Sequence, residues 1–139
     1  MFDIKQAFKD IANKISAIMT RLNAEADYVI ATGTETQGDC SWTYEKWNSG
    51  KAVCWCGGSV GTTNKTGTVN SWNYRTVSYT FPSGLFASVS AVHVDAKWGT
   101  GISWGGTNNA TTTTLTALYM SNQTSGSLTF RLTAVGRWK

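Results

Sequence analysis

The N-terminal segment of this 139-residue chain has an apolar side chain at every third or fourth position. The intervals alternate between four and three residues, which is the pattern of the a and d positions of a heptad repeat. The six residues of this seam are Ile4, Phe8, Ile11, Ile15, Ile18 and Leu22. The pattern predicts an α-helix that buries a narrow stripe against other helices, and Asp3 with Gln6 resembles a capping box at its start.

The seam also bears on how many helices associate. An isolated helix of about 20 residues is marginal in water, so this segment needs a partner surface. One alternative is docking on its own domain, but a docked helix has a wider apolar face than this seam. Ile at the d positions disfavours a parallel dimer, and the small side chains of Ala7 and Ala12 widen the seam, as higher oligomers require. We expect a parallel coiled coil, with a trimer favoured over a tetramer.

The chain after residue 27 has a different character. Polar and apolar residues alternate, and the 14 Gly and single Pro suit strands joined by tight turns. Strands are predicted at residues 28–32, 42–47, 51–56, 72–81, 85–98, 102–104, 112–120 and 128–138, with a loop rich in Gly and Thr at 57–70. The interpretation is a mainly β fold: residues 1–27 form a shaft helix and residues 28–139 form an antiparallel β-sandwich head.

Composition argues against several classes of partner. The sequence contains no run of about 18 apolar residues, and its start lacks the apolar core of a signal peptide. The net charge is only +4, and the basic residues do not cluster into the stripe that nucleic-acid binding needs. We expect no membrane insertion, no nucleic-acid partner and no cofactor.

Two segments resemble a known family. Residues 42–55 are Trp-Thr-Tyr-Glu-Lys-Trp-Asn-Ser-Gly-Lys-Ala-Val-Cys-Trp, and residues 134–139 are Ala-Val-Gly-Arg-Trp-Lys. The first resembles a hairpin in tail-fibre and baseplate proteins of tailed bacteriophages and prophages, and the second resembles their C-terminus. The strands around residues 77–81, 89–95 and 128–136 are similar to those of the H-type lectin fold. That fold is a six-stranded antiparallel sandwich that assembles around a three-fold axis.

The resemblance, over about residues 28–139, implies the C-terminal receptor-binding head of a tail-fibre or baseplate protein. Such a homotrimer would attach to a bacterial surface structure, with a carbohydrate as the expected ligand and a baseplate or upstream fibre protein as a further partner. It would be made in the host cytoplasm and act in the virion. Two alternatives stay open: a trimerisation and folding cap without a ligand, and the tip of a phage-derived bacteriocin or injection system.

Catalytic residues are scarce. The single histidine, His93, lies in mid-strand between Val92 and Val94, which is an ordinary position for a core or interface side chain. The acids of the head form no recognisable pair for glycoside cleavage; they are Glu35, Asp39, Glu45 and Asp95. We expect that the chain is not an enzyme. Hydrolysis of a surface polysaccharide by acids from neighbouring subunits remains the lesser alternative.

The three cysteines could be zinc ligands, form a disulfide or remain free thiols. Cys54 and Cys56 lie on one face of a strand and, with Cys40 and His93, could supply four zinc ligands, although structural zinc sites favour a two-residue gap. Cys40 could instead form a disulfide with Cys56 if two strands meet there. Because proteins of the phage type fold in a reducing cytosol, we expect free, packed thiols and no metal site.

A Gly-rich segment at residues 98–109 combines two Trp with two Asn. Sugar rings stack their apolar faces on Trp, and Asn or Asp side chains bond the hydroxyl groups. We therefore predict a ligand site at Asp95, Trp98, Trp104, Asn108 and Asn109, with a boundary between subunits as its candidate location. The alternative is that the two Trp are cross-strand packing partners. A second candidate, at Tyr44, Lys46 and Trp47 of the hairpin, is better suited to packing between subunits.

Overall fold

The structure, a computed structural model, describes residues 4–139 and all of their side chains except those of residues 23–25. The cap predicted at Asp3 lies outside the described residues. Helix α1 spans Ile4–Glu25 and contains the whole heptad seam. No helix in the described part of the chain is both long and apolar enough to span a bilayer.

Nine strands follow α1 in residues 4–139 and form two antiparallel sheets. Their bounds are β1 Val29–Gln37, β2 Cys40–Trp47, β3 Lys51–Asn64, β4 Gly67–Val69, β5 Trp72–Thr80, β6 Ser88–Trp98, β7 Ser103–Ala110, β8 Thr114–Ser121 and β9 Ser125–Arg137. One sheet has the order β1-β2-β3-β9-β6 and the other the order β4-β5-β8-β7. The predicted mainly β, antiparallel chain with an N-terminal helix is confirmed, with three strands more than the six-stranded sandwich of the resemblance.

A single apolar core is shared by the two sheets. Successive side chains of a strand point to opposite sides, so each sheet has an inner and an outer face. On β9 the inner residues are Leu128, Phe130, Leu132 and Ala134, all buried, and the residues between them face outward. The largest wholly buried side chains are Trp42, Trp98, Tyr119, Phe81 and Phe130. Trp42 donates its indole N–H to the carbonyl of Thr80 at 2.8 Å, which ties the two sheets together.

The Gly- and Thr-rich segment at residues 57–70 is not a loop, as the sequence analysis expected. Strand β3 continues to Asn64 and stays paired with β9 as far as Ser125, and β4 follows directly. The backbone ladder with β9 supports this strand although its side chains lack apolar periodicity. Gly58 leaves room for the ring of Phe130, because a Cβ at that position would lie 3.0 Å from the ring.

Cys40 and Cys56 form a disulfide, with their Cα atoms 6.1 Å apart. The expectation of free thiols is therefore wrong for these two residues. The β2–β3 register pairs Tyr44 with Cys54, so Cys40 is a diagonal neighbour of Cys56 on the same side of the sheet. Cys54 is a free, wholly buried thiol. No group of metal-binding side chains is found in the described residues.

Two tyrosine hydroxyl groups form a polar pair in the core. The hydroxyl groups of Tyr79 and Tyr119 are hydrogen-bonded at 2.8 Å, and the ring of Phe130 packs against both, with centroids 5.3 and 6.3 Å away. Burial raises the pKa of both phenols above the usual value. The pair therefore stays uncharged and supplies each hydroxyl with the partner that its buried position requires.

The cysteine assignment predicts a thiol count. Burial raises the pKa of Cys54 to about 12, partly opposed by a hydrogen bond with the backbone of Ala134. At about pH 8 we expect Ellman's reagent to detect no thiol in the folded, unreduced protein, because the thiolate is the reactive form. Unfolding without reductant should expose one thiol per chain, and reduction before unfolding should expose three. Three thiols without reductant would contradict the disulfide.

The tyrosine pair predicts a non-additive double-mutant cycle. Tyr119→Phe leaves the buried hydroxyl of Tyr79 without its partner, so we expect a loss of about 1–3 kcal/mol in the free energy of unfolding. Adding Tyr79→Phe removes the orphaned group, and the double variant should regain much of that loss. Urea unfolding of the wild type, both single variants and the double variant measures the cycle. Additive losses would show that the hydrogen bond does not couple the two residues.

Candidate ligand-binding site

Trp98 ends β6 and lies wholly inside the core. Its backbone N–H donates to Ser103 Oγ at 3.0 Å, and its carbonyl accepts from Ser121 Oγ at 3.2 Å. Because it shares the inner side of β6 with the buried Val94, its indole is closed to a ligand. The structure therefore places Trp98 in the core, apart from the surface residues of the predicted site.

The turn after Trp98 carries the chain from one sheet to the other. Gly99 has a φ of +69°, a conformation that side chains with a Cβ rarely adopt. Gln123 accepts a hydrogen bond from the N–H of Thr100 at 3.2 Å and donates one to the Thr100 hydroxyl at 3.0 Å. This fixed turn separates β6, in the five-stranded sheet, from β7, in the four-stranded sheet.

Trp104 lies on the outer face of the four-stranded sheet, which we call the four-stranded face. Its register partner there is Met120, which also pairs with Tyr74. The rings of Trp104 and Trp72 meet edge to face, with centroids 4.6 Å apart. Trp104 remains 41% exposed. The face therefore offers an aromatic pair with one indole open to a ligand.

A groove of about 430 Å³ runs beside this pair. Its lining combines hydroxyl, amide and apolar groups, from Thr66, Val69, Tyr74, Thr76, Asn108, Leu118 and Met120. Asn108 falls where the β7–β8 register shifts, between Thr107 and Asn109. The structure thus brings Trp104, Asn108 and Asn109 to one face, where stacking and hydrogen bonding to a sugar are geometrically compatible.

Asp95 does not join this group. It is exposed on β6 and pairs in register with Arg131, on the outward side of the five-stranded sheet. That outer face, which we call the five-stranded face, is on the opposite side of the sandwich from Trp104. Asp95 and Trp104 therefore do not form one site within a single head.

The five-stranded face carries two residues that the sequence analysis did not select. Trp55 is 39% exposed, between the buried Cys54 and Cys56, and Arg131 is exposed on β9. The alternation was visible in the sequence, since two packed cysteines flanking a Trp turn the indole outward. The β3–β9 pairing that brings Trp55 and Arg131 together could not be predicted from the sequence.

The hairpin candidate at Tyr44, Lys46 and Trp47 is largely engaged within the head. The Lys46 ammonium lies 5.6 Å from the ring centroid of Trp138, whose indole N–H donates to the carbonyl of Trp47 at 2.8 Å. The ring of Tyr44 covers Gly33, where a Cβ would lie 2.5 Å from the phenol oxygen. These contacts close the end of the head at which α1 joins.

The structure also shows the surroundings of Glu35 and His93. A hydrogen bond from the backbone N–H of Ser83 and one from the Gln37 amide lower the pKa of Glu35. Glu35 thereby ties the edge strand β1 to the segment after β5. His93 is exposed on the five-stranded face, opposite Thr133 in register.

The seam of α1 is a separate candidate surface. Its six residues are between 53% and 66% exposed, and α1 makes no extensive contact with any described strand. In the structure, α1 is therefore not docked on its own head.

No family model and no curated protein matches the sequence. Among solved structures, an N-truncated R1-type pyocin tail fiber is similar, with a TM-score of 0.52 and 18% identity, covering 86% of this chain and 95% of that one. The P. aeruginosa R1 pyocin fiber comprising C-terminal residues 323–701 matches with a TM-score of 0.46 and 16% identity. That match covers 77% of this chain and 28% of the fiber chain. The chain is thus similar in fold to the R1-type pyocin tail fiber.

Proposed function

We propose that this chain is the receptor-binding tip of a phage or phage-derived tail fibre. Three copies associate through a parallel coiled coil of α1, and their heads attach to a bacterial surface structure. The receptor that we expect is a carbohydrate. Attachment is non-covalent and involves no catalysed step. The tip acts as part of a virion or a related particle, joined to an upstream fibre or baseplate protein.

The exposed seam of α1 is the observation that carries this proposal. Burying a large apolar side chain stabilises a structure by about 1.5–3 kcal/mol, and α1 leaves six of them in water along one stripe. Association with the same stripe of other copies buries all six at once. The Ile residues at the d positions and the small Ala7 and Ala12 beside the seam favour three helices over two.

The fold similarity to the pyocin tail fiber supports a fibre role. The four-stranded face supplies the contact surface, with the open indole of Trp104 beside Asn108 and the hydroxyl-lined groove. Three such sites on one rigid trimer raise the effective concentration, so weak single-site binding suffices for firm attachment. A lectin-like mode of binding fits these features.

The trimer predicts a solution mass of three times 15.1 kDa. Light scattering on the whole chain measures it, and the double variant Ile11→Ser, Ile18→Ser tests the seam. We expect that variant to dissociate, because polar d positions remove the buried stripe. Lys9→Ser, on the outer side of the same helix, is the matched control and should remain trimeric. A monomeric wild type at micromolar concentration would refute the coiled coil.

Attachment predicts that labelled trimer adsorbs to some bacterial strains in a panel. Trp104→Ala, which keeps the trimer mass, should reduce adsorption about tenfold or more, because the loss recurs at each of three sites. Thr32→Ala, on the exposed edge strand β1, is the control and should adsorb normally. Periodate treatment of the cells should abolish adsorption if the receptor is a carbohydrate. Undiminished adsorption of Trp104→Ala would exclude the four-stranded face as the contact surface.

A further inference from the structure

The five-stranded face has a central row that combines an open aromatic ring with polar groups. Trp55 pairs with Thr133, and Thr133 pairs with His93 on the next strand. All three side chains point outward, and the indole is 39% exposed on a strand that is flanked by others on both sides. A Trp in the middle of a solvent-facing sheet exposes apolar surface that contributes nothing to packing within the head.

The adjacent row places a cation beside this indole. Gly57 pairs with Arg131, and Arg131 pairs with Asp95. Because Gly57 has no side chain, the side chain of Arg131 lies close against it, and a Cβ there would lie 3.5 Å from Cγ of Arg131. Residues on one face that are diagonal neighbours across strands lie about 7–8 Å apart, so Trp55 and Arg131 can contact one small ligand together.

Arg131 is free to bind. Across residues 4–139 its guanidinium makes no hydrogen bond and no ion pair, even with Asp95 opposite it. Arg137, on the same strand, instead donates to the carbonyl oxygens of Ser49 and Lys139, at 2.9 and 3.3 Å. A planar guanidinium with unused donors matches the geometry of a carboxylate or a phosphate.

Two grooves meet at this arginine. One, of about 290 Å³, is lined by Trp55, Gly57, Thr133 and Arg131 together with the backbone neighbours Cys56 and Leu132. The other, of about 340 Å³, lies on the β6 side and includes Asp95, Lys97 and Thr129. The second cation, Lys97, offsets the charge of Asp95, so the surroundings of Arg131 stay positive overall. An anionic group can therefore approach Arg131 from the Trp55 side.

We propose that the five-stranded face binds a sugar that bears a carboxylate or a phosphate. The indole of Trp55 stacks against the apolar side of the sugar ring, Arg131 pairs with the anionic group, and Thr133 and His93 bond the hydroxyl groups. This inference rests on the proposed function, since it names the receptor class that a tip of this kind would recognise. The site is distinct from the four-stranded face, because it lies on the opposite side of the sandwich.

The experiment is a titration of the ¹⁵N-labelled full-length chain, followed through the indole N–H signals of its Trp residues by NMR. Trp55→Phe identifies the Trp55 signal by its disappearance. The probes are three matched pairs at millimolar concentration: galacturonic acid and galactose, glucuronic acid and glucose, and glucose 6-phosphate and glucose. Sodium acetate and inorganic phosphate test the anion alone.

We expect at least one acidic sugar to shift the Trp55 signal, with an affinity about tenfold higher than that of its neutral partner. Arg131→Gln should remove this difference, and Trp55→Ala should abolish binding of both members. Lys51→Gln is the matched control, because it removes one positive charge from the same strand as Trp55 and lines neither groove, and it should keep most of the preference. Thermal unfolding and solution mass check that each variant is folded and assembled as the wild type.

Four outcomes would overturn the inference. They are equal binding of acidic and neutral sugars, no shift with any acidic sugar, equal losses from Arg131→Gln and Lys51→Gln, and a change of solution mass in Trp55→Ala. The last would make this face a subunit interface. Adsorption to bacteria separates this inference from the proposed function: cells that bind the wild type and both the Trp55 and Arg131 variants equally refute only the site. A chain that binds an acidic sugar but adsorbs to no strain refutes only the receptor-binding role.

Discussion

The antiparallel pairing of β9 with β3 on one side and β6 on the other determines most of this structure. The β3–β9 ladder runs from Lys51 opposite Arg137 to Asn64 opposite Ser125. Because β9 alternates strictly, it directs four apolar side chains into the core and Thr129, Arg131 and Thr133 to the outside. Alternate side chains of β9 therefore contribute to the core and to the five-stranded face. A register slip of one residue would exchange them and destroy both.

The sequence pattern predicted the elements that depend on interactions between residues close in sequence. The heptad seam marked α1, and the alternation in residues 85–98 separated Val94 and Trp98 from His93 and Asp95, as the structure has them. Residues 57–64 escaped prediction because their strand depends on pairing with β9, more than 60 residues away. The candidate site was only partly predictable for the same reason. Asp95 and Trp104 are close in sequence, but the turn at Gly99 sends their strands into different sheets.

The disulfide shows how an argument from cellular compartment differs from one based on geometry. A reducing cytosol predicted free thiols, whereas the β2–β3 register brings Cys40 and Cys56 within bonding distance. The two arguments are compatible if the chain acts, as proposed, as a fibre tip outside the cell, where disulfides persist. The bridge closes a 16-residue separation across the hairpin, and a loop of that size contributes about 3 kcal/mol by chain entropy.

In the proposed trimer, the junction between α1 and the head would link oligomerisation to binding. Asn48, in the β2–β3 turn, accepts a hydrogen bond from the Tyr28 N–H at 3.0 Å and donates one to the Ala26 carbonyl at 2.7 Å. The backbone N–H of Asn48 also donates to the Tyr28 carbonyl at 3.0 Å. These bonds restrict how the helix leaves the head. In a trimer, each head would then have a fixed orientation about the shaft. Fixed orientation keeps the entropy lost on multivalent binding small, since the three sites need no further ordering when they meet a surface.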